Sequence, residues 1–180
     1  MTADHQSGGQ ETNVRVFLAE RYLKGAGLEI GALHFPLQVP TTANVSYVDR
    51  MSVPDLRRHY PELASSDLVD VDIIDDGETL STVPDGSQDF VIANHFLEHC
   101  QNPIATLTNL MRVIKVGGIL FFAVPDKRYS IDLARPVTSL AHLLRGYELG
   151  RERSKYQHFA EWVRYIENQS DVDIIQQRAN

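Results

Sequence analysis

Several residues with useful chemistry lie between an apolar strand and a helix in the middle of the chain. Residues 91–93 are apolar, and four polar residues follow them closely: Asn94, His95, Glu98 and His99. An amide, a carboxylate and two imidazoles can bind a ligand, exchange protons or coordinate a metal ion. A helix predicted over 103–115 and an apolar strand over 119–124 come next. This order is half of a nucleotide-type α/β fold, which binds ligands at the carboxyl ends of its strands.

The residues 95–99 also match the H-x-x-E-H pattern of a class of zinc peptidases. On a helix, His95 and His99 would share one face and hold zinc, with Glu98 as the base. The pattern starts at the end of a strand, however, and Pro103 interrupts the backbone soon after it. A zinc-dependent hydrolase is therefore the remote alternative, and we expect no metal. We expect His95 to face a substrate as a base and His99 to be buried and structural.

A second pair of residues points to a nucleoside. Gly31 follows a short apolar strand, and Asp49 ends the next strand. Their separation is close to the ~20 residues at which an acidic side chain meets ribose hydroxyls in nucleotide-binding folds. A glycine lets the backbone approach the ligand closely, and an ionised carboxylate accepts two hydroxyl hydrogen bonds.

The elements that must position these residues follow from hydrophobic periodicity. Strands are predicted at 28–31, 45–48, 68–74, 90–93 and 119–124, and helices at 14–23, 53–59, 103–115, 137–147 and 155–167. The best-supported helix has Asn102 as its cap, Pro103 at its first position and Gly117 closing it. The uninterrupted apolar strand after it is expected to be buried on both faces. Such alternation predicts a mostly parallel sheet with helices on both faces, a Rossmann-like three-layer α/β sandwich.

Composition excludes several classes of protein. The 180 residues carry 17 Lys plus Arg against 24 Asp plus Glu, a formal net charge of −7. This balance argues against nucleic acid as a partner. The single cysteine, Cys100, excludes an internal disulfide and a multi-cysteine zinc site. No apolar run is long enough for a membrane span, and the polar amino terminus lacks the core of a signal peptide. We expect a cytoplasmic protein.

Several stretches of the chain resemble a known family. The stretches LEIGALHFPL (28–37), VSYVDRM (45–51), DVDIIDDGETL (70–80), DFVIANHFLEH (89–99) and LMRVIKVGGILFFAVPD (110–126) are similar to class I S-adenosylmethionine-dependent methyltransferases, specifically the bacterial type 11 group. The family's first motif is an acidic residue followed by three glycines at every second position, acidic-x-Gly-x-Gly-x-Gly. Glu29 and Gly31 match it, whereas Leu33 and Phe35 replace the second and third glycines.

The resemblance implies an enzyme that uses S-adenosylmethionine, and it implies roles for individual residues. Glu29, Gly31 and Ala32 would lie near the methionine part, Asp49 would hold the ribose, and Arg50 would flank the adenine. Asp72 and Ile73, or Asp75 and Asp76, would approach the adenine amino group, and Asn94 would close the site through its backbone carbonyl. His95 would be the catalytic base for a hydroxyl acceptor. The acceptor contacts would be Asp126, Lys127, Arg128 and Tyr129, with Arg135, His142, His158 and Trp162 as further candidates.

The expected organisation has three parts: a disordered terminus (1–12), a cofactor-binding core (13–126) and a helical acceptor-side region (127–180). The family closes its sheet with two further strands, but 171–175 is the only candidate left, so the chain looks shortened. We expect the tail helices or a second subunit, in a homodimer, to cover the open sheet edge.

The expected function is methyl transfer to a small-molecule or sugar and cell-surface-type acceptor, at oxygen. Besides the zinc-dependent hydrolase, two other functions remain open. One is a truncated, non-catalytic relative that serves as a binding or assembly domain. The other is an NAD-linked oxidoreductase, which the missing G-x-G-x-x-G motif disfavours.

Overall fold

The computed structural model describes residues 8–165. The helices are α1 (Gly8–Tyr22), α2 (Val53–His59), α3 (Pro103–Val113), α4 (Leu140–Leu149) and α5 (Arg151–Tyr165), and the strands are β1 (Gly25–Ile30), β2 (Ala43–Asp49), β3 (Ile73–Ile74), β4 (Gln88–Asn94) and β5 (Ile114–Ala123). Residues 1–7 of the terminus expected to be disordered, and the candidate strand 171–175, lie outside the described residues.

The five strands form one sheet in the order β3-β2-β1-β4-β5, and every pair of neighbours is parallel. One core packs under α3, where Leu110 and Val113 meet strand residues such as Val91. The other core lies on the opposite face, where Ala19 of α1 and Leu23 meet Phe90 and Ile92. The predicted Rossmann-like α/β fold, with helices on both faces of a parallel sheet, is therefore confirmed.

The start of α3 follows the sequence closely. The Asn102 side chain accepts a hydrogen bond from the Ala105 N–H at 3.1 Å, and Pro103 stands in the first turn. The end of the helix differs, because α3 stops at Val113. Gly117 does have a left-handed φ of 82°, but it lies in an irregular part of β5, where Gln88 pairs with Ile114 while Phe90 already pairs with Ile119. The prediction that Gly117 closes the helix is wrong.

Strand β3 is much shorter than the predicted 68–74. The Asp72 carboxylate accepts the Tyr47 N–H at 2.8 Å, and the Asp72 N–H donates to the Tyr47 carbonyl oxygen. A side chain thus takes the place of a backbone acceptor, so regular pairing begins only at Ile73. Leu68 packs instead against Leu56 and Leu63 beside the sheet.

Strand β5 is not buried on both faces, contrary to the sequence prediction. Phe122 is 46% exposed and Val124, just beyond the strand, is 50% exposed. Within the described residues β5 pairs only with β4, so it forms the edge of the sheet. Among these residues no helix is long and apolar enough to cross a membrane.

Candidate functional site

The predicted ligand-binding residues converge where the central strands end. Gly31, Asp49 and Asn94 stand at the carboxyl ends of β1, β2 and β4. Parallel register brings these ends to one edge, since Ile30 pairs with Val48 and Glu29 pairs with Ile92. Gly31 has a φ of 63°, and the space a Cβ would occupy is open. The backbone is therefore accessible to a ligand at this point.

Asn94 offers an unsatisfied polar group at the same edge. Its Oδ1 is buried and has no hydrogen-bond partner among the described residues. By the alternation of side chains along a strand, Glu29, Asp49 and Asn94 all face the side of the sheet that α1 covers. A buried acceptor without a partner costs free energy unless a ligand or water satisfies it.

Glu29 organises the loop after β1. It is 3% exposed, and both carboxylate oxygens accept the Leu37 N–H, at 3.0 and 3.1 Å. Burial raises the pKa of Glu29 to about 7, which the hydrogen bond from Leu37 only partly offsets. Leu33 stands where the family has a glycine and adopts a left-handed φ of 52°. This backbone shape, which glycine adopts without strain, persists here at a cost of about 1 kcal/mol or more.

Asp49 presents a carboxylate that is only partly covered. The Met51 N–H donates a long hydrogen bond of 3.4 Å to this carboxylate. Desolvation raises the pKa of Asp49 above its ordinary value, against the hydrogen bonds from Met51 and Arg50. Arg50 extends away and donates to the Tyr60 hydroxyl at 2.8 Å.

The acidic residues around β3 already have partners. Asp72 is bound to Tyr47, and Ile73 pairs with Val48. Burial acts to raise the pKa of Asp75, but hydrogen bonds from Thr82 and Ser81 outweigh it and lower that pKa. The carboxylate of Asp75 thus supports its own loop.

The loop after β3 is also tied to the start of α3 and to α5. The Glu78 carboxylate accepts the N–H groups of Gln101 and Asn102 at 3.1 and 3.3 Å. Arg151 of α5 lies 3.4 Å from Glu78 and also pairs with Asp76. One carboxylate therefore joins three segments.

The histidine loop differs from its sequence interpretation. His99 is exposed, not buried, and it lies on a 3-10 turn, Leu97–His99. The prediction of a buried, structural His99 is therefore wrong. The single 3-10 turn leaves the ring exposed, whereas a longer helix could have packed it against a neighbouring element. His95 has a left-handed φ of 50°. Its Nε2 lies 3.0 Å from the Arg15 guanidinium, and its Nδ1 lies 3.4 Å from Glu98.

Because a guanidinium only donates hydrogen bonds, the contact with Arg15 occupies the lone pair of His95 Nε2. The H-x-x-E-H residues do not lie on one helix. Within 8–165, no three His, Cys, Asp or Glu residues are grouped to hold a metal ion.

In the charged loop after β5, the acidic and basic side chains bind to other residues of the same segment. Asp126 caps a 3-10 turn, Lys127–Tyr129, and pairs with Arg128. The Arg128 guanidinium lowers the pKa of Asp126 to about 2. Lys127 donates to the Leu133 carbonyl at 2.7 Å, and Tyr129 is 88% exposed. The structure therefore places these residues at the surface.

A cavity of 680 Å³ opens beside the histidine loop. No sequence motif predicted this cavity. Its walls come from residues 98–103, residues 135–138 and helices α4 and α5. The chemically useful lining residues are Glu98, His99, Arg135, His142, Lys155, His158 and Glu161. Arg135, His142 and His158 were candidate acceptor contacts, but no sequence motif joins them. The side chain of the remaining candidate, Trp162, lies outside the described residues.

Comparison with known proteins decides the family. A family model described as a methyltransferase domain matches residues 10–170. The chain belongs to this family. The predicted enzyme class and S-adenosylmethionine as cofactor are thereby confirmed for the methyltransferase domain. No curated protein matches the sequence.

Solved structures with a similar fold include S-adenosylmethionine-dependent enzymes. A methyltransferase from Aquifex aeolicus is 13% identical, with a TM-score of 0.46, and the match covers 96% of this chain and 79% of that one. An arsenic(III) methyltransferase from Chlamydomonas reinhardtii is 22% identical, with a TM-score of 0.40, and the match covers 58% of this chain. The methyltransferase domain spans only 38% of that enzyme's length.

The residues at the sheet edge fit S-adenosylmethionine. The partly covered carboxylate of Asp49 would accept the ribose hydroxyls, and the open backbone at Gly31 would admit the methionine part. The buried Asn94 Oδ1 is a free acceptor for a donor on the cofactor. Glu29 would act through the loop that it holds, because the Leu37 N–H occupies its carboxylate.

Proposed function

We propose that this methyltransferase domain transfers the methyl group of S-adenosylmethionine to an oxygen of a small-molecule or sugar and cell-surface-type acceptor. The observation that carries the proposal is the convergence of Gly31, Asp49 and Asn94 at one sheet edge. The buried Oδ1 of Asn94 has no hydrogen-bond partner among the described residues, so a donor on the ligand would satisfy it. The nearby cavity supplies room for an acceptor.

The chain's residues would bind and orient the reactants. When bound, S-adenosylmethionine supplies a methyl group already activated on a sulfonium, so the protein must align the acceptor and exclude water. The proposed cofactor contacts are Glu29, Gly31, Ala32, Asp49, Arg50, Asp72, Ile73 and Asn94.

His95 remains the proposed catalytic base. A hydroxyl acceptor loses its proton as the oxygen–carbon bond forms, and a neutral imidazole can take that proton. Arg15 must first leave His95 Nε2, because it lies 3.0 Å from that atom. The loop of Asp126, Lys127, Arg128 and Tyr129 is proposed to contact the acceptor, and the cytoplasm is the proposed location.

A non-catalytic binding or assembly domain is the second candidate. It is favoured by Leu33 and Phe35 at two family glycine positions and by a β5 edge without a further strand among the described residues. Such a domain could bind the cofactor without turning it over.

Thermal unfolding with S-adenosylhomocysteine tests the proposal. At 100 times its Kd, a ligand of the native state adds ~2.7 kcal/mol to the free energy of unfolding. We expect this gain for the wild type and a smaller gain at the same concentration for Asp49→Ala. The control Asp85→Ala should keep the full gain, because this exposed aspartate lies before the amino end of β4, at the opposite edge of the sheet. NAD and Zn²⁺ are the control ligands.

The outcomes separate the candidates. No response to S-adenosylhomocysteine, or an equal response in Asp49→Ala, contradicts the proposed cofactor site. Binding without methyl transfer to any hydroxyl acceptor in a screen supports the assembly domain.

A further inference from the structure

The cavity beside the histidine loop has the size and lining of a small-molecule site. Its 680 Å³ falls within the range of ligand pockets. Pro103, Leu143 and Phe159 provide apolar surface, and charged and imidazole groups surround it. Helix α4 is held in place because the buried Asn102 side chain donates to the Gly146 carbonyl oxygen at 3.3 Å.

The two carboxylates of the lining are already matched by imidazoles. Glu98 lies 3.4 Å from His95 Nδ1. Glu161 lies 3.6 Å from His142 Nδ1 on the neighbouring helix. Each carboxylate of the lining therefore has an imidazole ring as its polar neighbour.

The cations of the lining are less well matched. Arg135 donates one hydrogen bond to Asp132 at 2.8 Å. Lys155 contacts only the Phe159 ring, with Nζ 6.0 Å from the ring centre, and has no carboxylate partner among the described residues. The His99 imidazole makes no hydrogen bond within the same part of the chain. The cavity therefore holds one ammonium group and a polar ring that are available to a ligand.

His158 lies among both basic and acidic neighbours in the cavity wall. Its ring stacks on His142 with centroids 5.5 Å apart. Burial, then His142, and more weakly Arg135 lower the pKa of His158, and Glu161 opposes them. Lys155, His99, Glu98 and Cys100 complete the titratable groups of the cavity lining. Two permanent cations thus face two carboxylates, and of the two cations only Lys155 has no carboxylate partner among the described residues.

We propose that this cavity binds the methyl acceptor and that the acceptor is a small organic anion, whose carboxylate or phosphate group pairs with Lys155. The apolar body of the anion packs on Phe159 and Leu143. This inference rests on the proposed function, because it names the acceptor's chemical class.

Calorimetry on the intact chain, with and without S-adenosylhomocysteine, tests the inference. The probes are 4-hydroxybenzoate, phenyl phosphate and the neutral 4-hydroxybenzyl alcohol. We expect one or both anions to bind and the alcohol to bind at least tenfold more weakly. Lys155→Met should weaken anion binding about tenfold or more, as expected for the loss of a charged hydrogen bond. Lys155→Arg should retain binding, and Lys24→Met, an exposed lysine elsewhere, should match the wild type.

A second readout does not depend on affinity. A bound anion should raise the pKa of His158, as followed by NMR of the imidazole nitrogens. The stronger of the two anions identifies a carboxylate or a phosphate ester as the source of the charge.

The inference is overturned if neither anion binds, if the neutral alcohol binds equally well, or if Lys155→Met binds anions like the wild type. Failure of the proposed function would give a different result from failure of this inference. If S-adenosylhomocysteine stabilises the chain but no anion binds, the acceptor class is wrong and the transferase proposal stands.

Discussion

Strands β4 and β5 are neighbours of similar apolarity, yet their side chains have different surroundings. Residues 90–93 of β4 are 0% exposed, whereas Phe122 of β5 is nearly half exposed and Val116 is fully exposed. The difference follows from position, since β4 lies between β1 and β5 while β5 has a strand on one side only in the described chain. The apolarity of a strand therefore shows what it could bury, and its neighbours decide what it does bury.

The largest expected effect comes from removing a β4 side chain. Phe90→Ala should lower the free energy of unfolding by ~3–5 kcal/mol, because it leaves a cavity in a closed core. Phe122→Ala on β5 should cost only about 1 kcal/mol, since much of that ring is already in water. Urea denaturation of both variants measures the comparison. Equal losses would show that β5 is covered in solution.

An intermediate effect on stability is expected in β1, the other neighbour of β4. The buried residue there is Glu29, which is polar. The pKa of Glu29 is about 7 in the folded protein, above its ordinary 4.5. The folded state therefore binds a proton more tightly than the unfolded state, and stability falls as pH rises from about 4.5 to about 7. Glu29→Gln keeps an acceptor for the Leu37 N–H and removes this dependence.

Denaturation curves from pH 4.5 to 8 measure the effect of Glu29→Gln. The variant should be about 3 kcal/mol more stable than the wild type at pH 8 and similar at pH 4.5, since each pKa unit corresponds to about 1.4 kcal/mol. Parallel pH profiles for the two proteins would contradict the raised pKa.

The smallest effect on stability is expected at the exposed part of β5. Val116→Lys should change the free energy of unfolding by less than ~0.5 kcal/mol, because the side chain is already in solvent. A lysine on an edge strand opposes pairing with another chain, so the variant should be less dimeric in light scattering if a second subunit covers this edge. A monomeric wild type would contradict the expected homodimer.

Elements with strong local signals could be predicted from the sequence. Helix α2 spans the predicted residues, and α3 begins at the predicted cap, because capping and helical spacing are properties of adjacent residues. The convergence of Gly31, Asp49 and Asn94 at one sheet edge was also predictable, since the carboxyl ends of parallel strands must meet.

Features that depend on distant residues were not predictable. The side chain of Asp72 shortens β3 by binding Tyr47, a residue far away in the sequence. His99 is exposed because the turn after β4 points it toward a cavity that α4 and α5 complete. The unpaired ammonium of Lys155 matters only once both helices are in place.

The carboxylate of Glu78 connects the loop after β3 to the wall of the cavity. It accepts the N–H groups of Gln101 and Asn102, which line the cavity, while Arg151 of α5 pairs with the same loop. A ligand that displaces this loop must also loosen the cavity wall. If the proposed cofactor contacts this loop and the proposed acceptor fills the cavity, the two occupancies are thermodynamically linked, and each ligand should change the affinity of the other by the same factor.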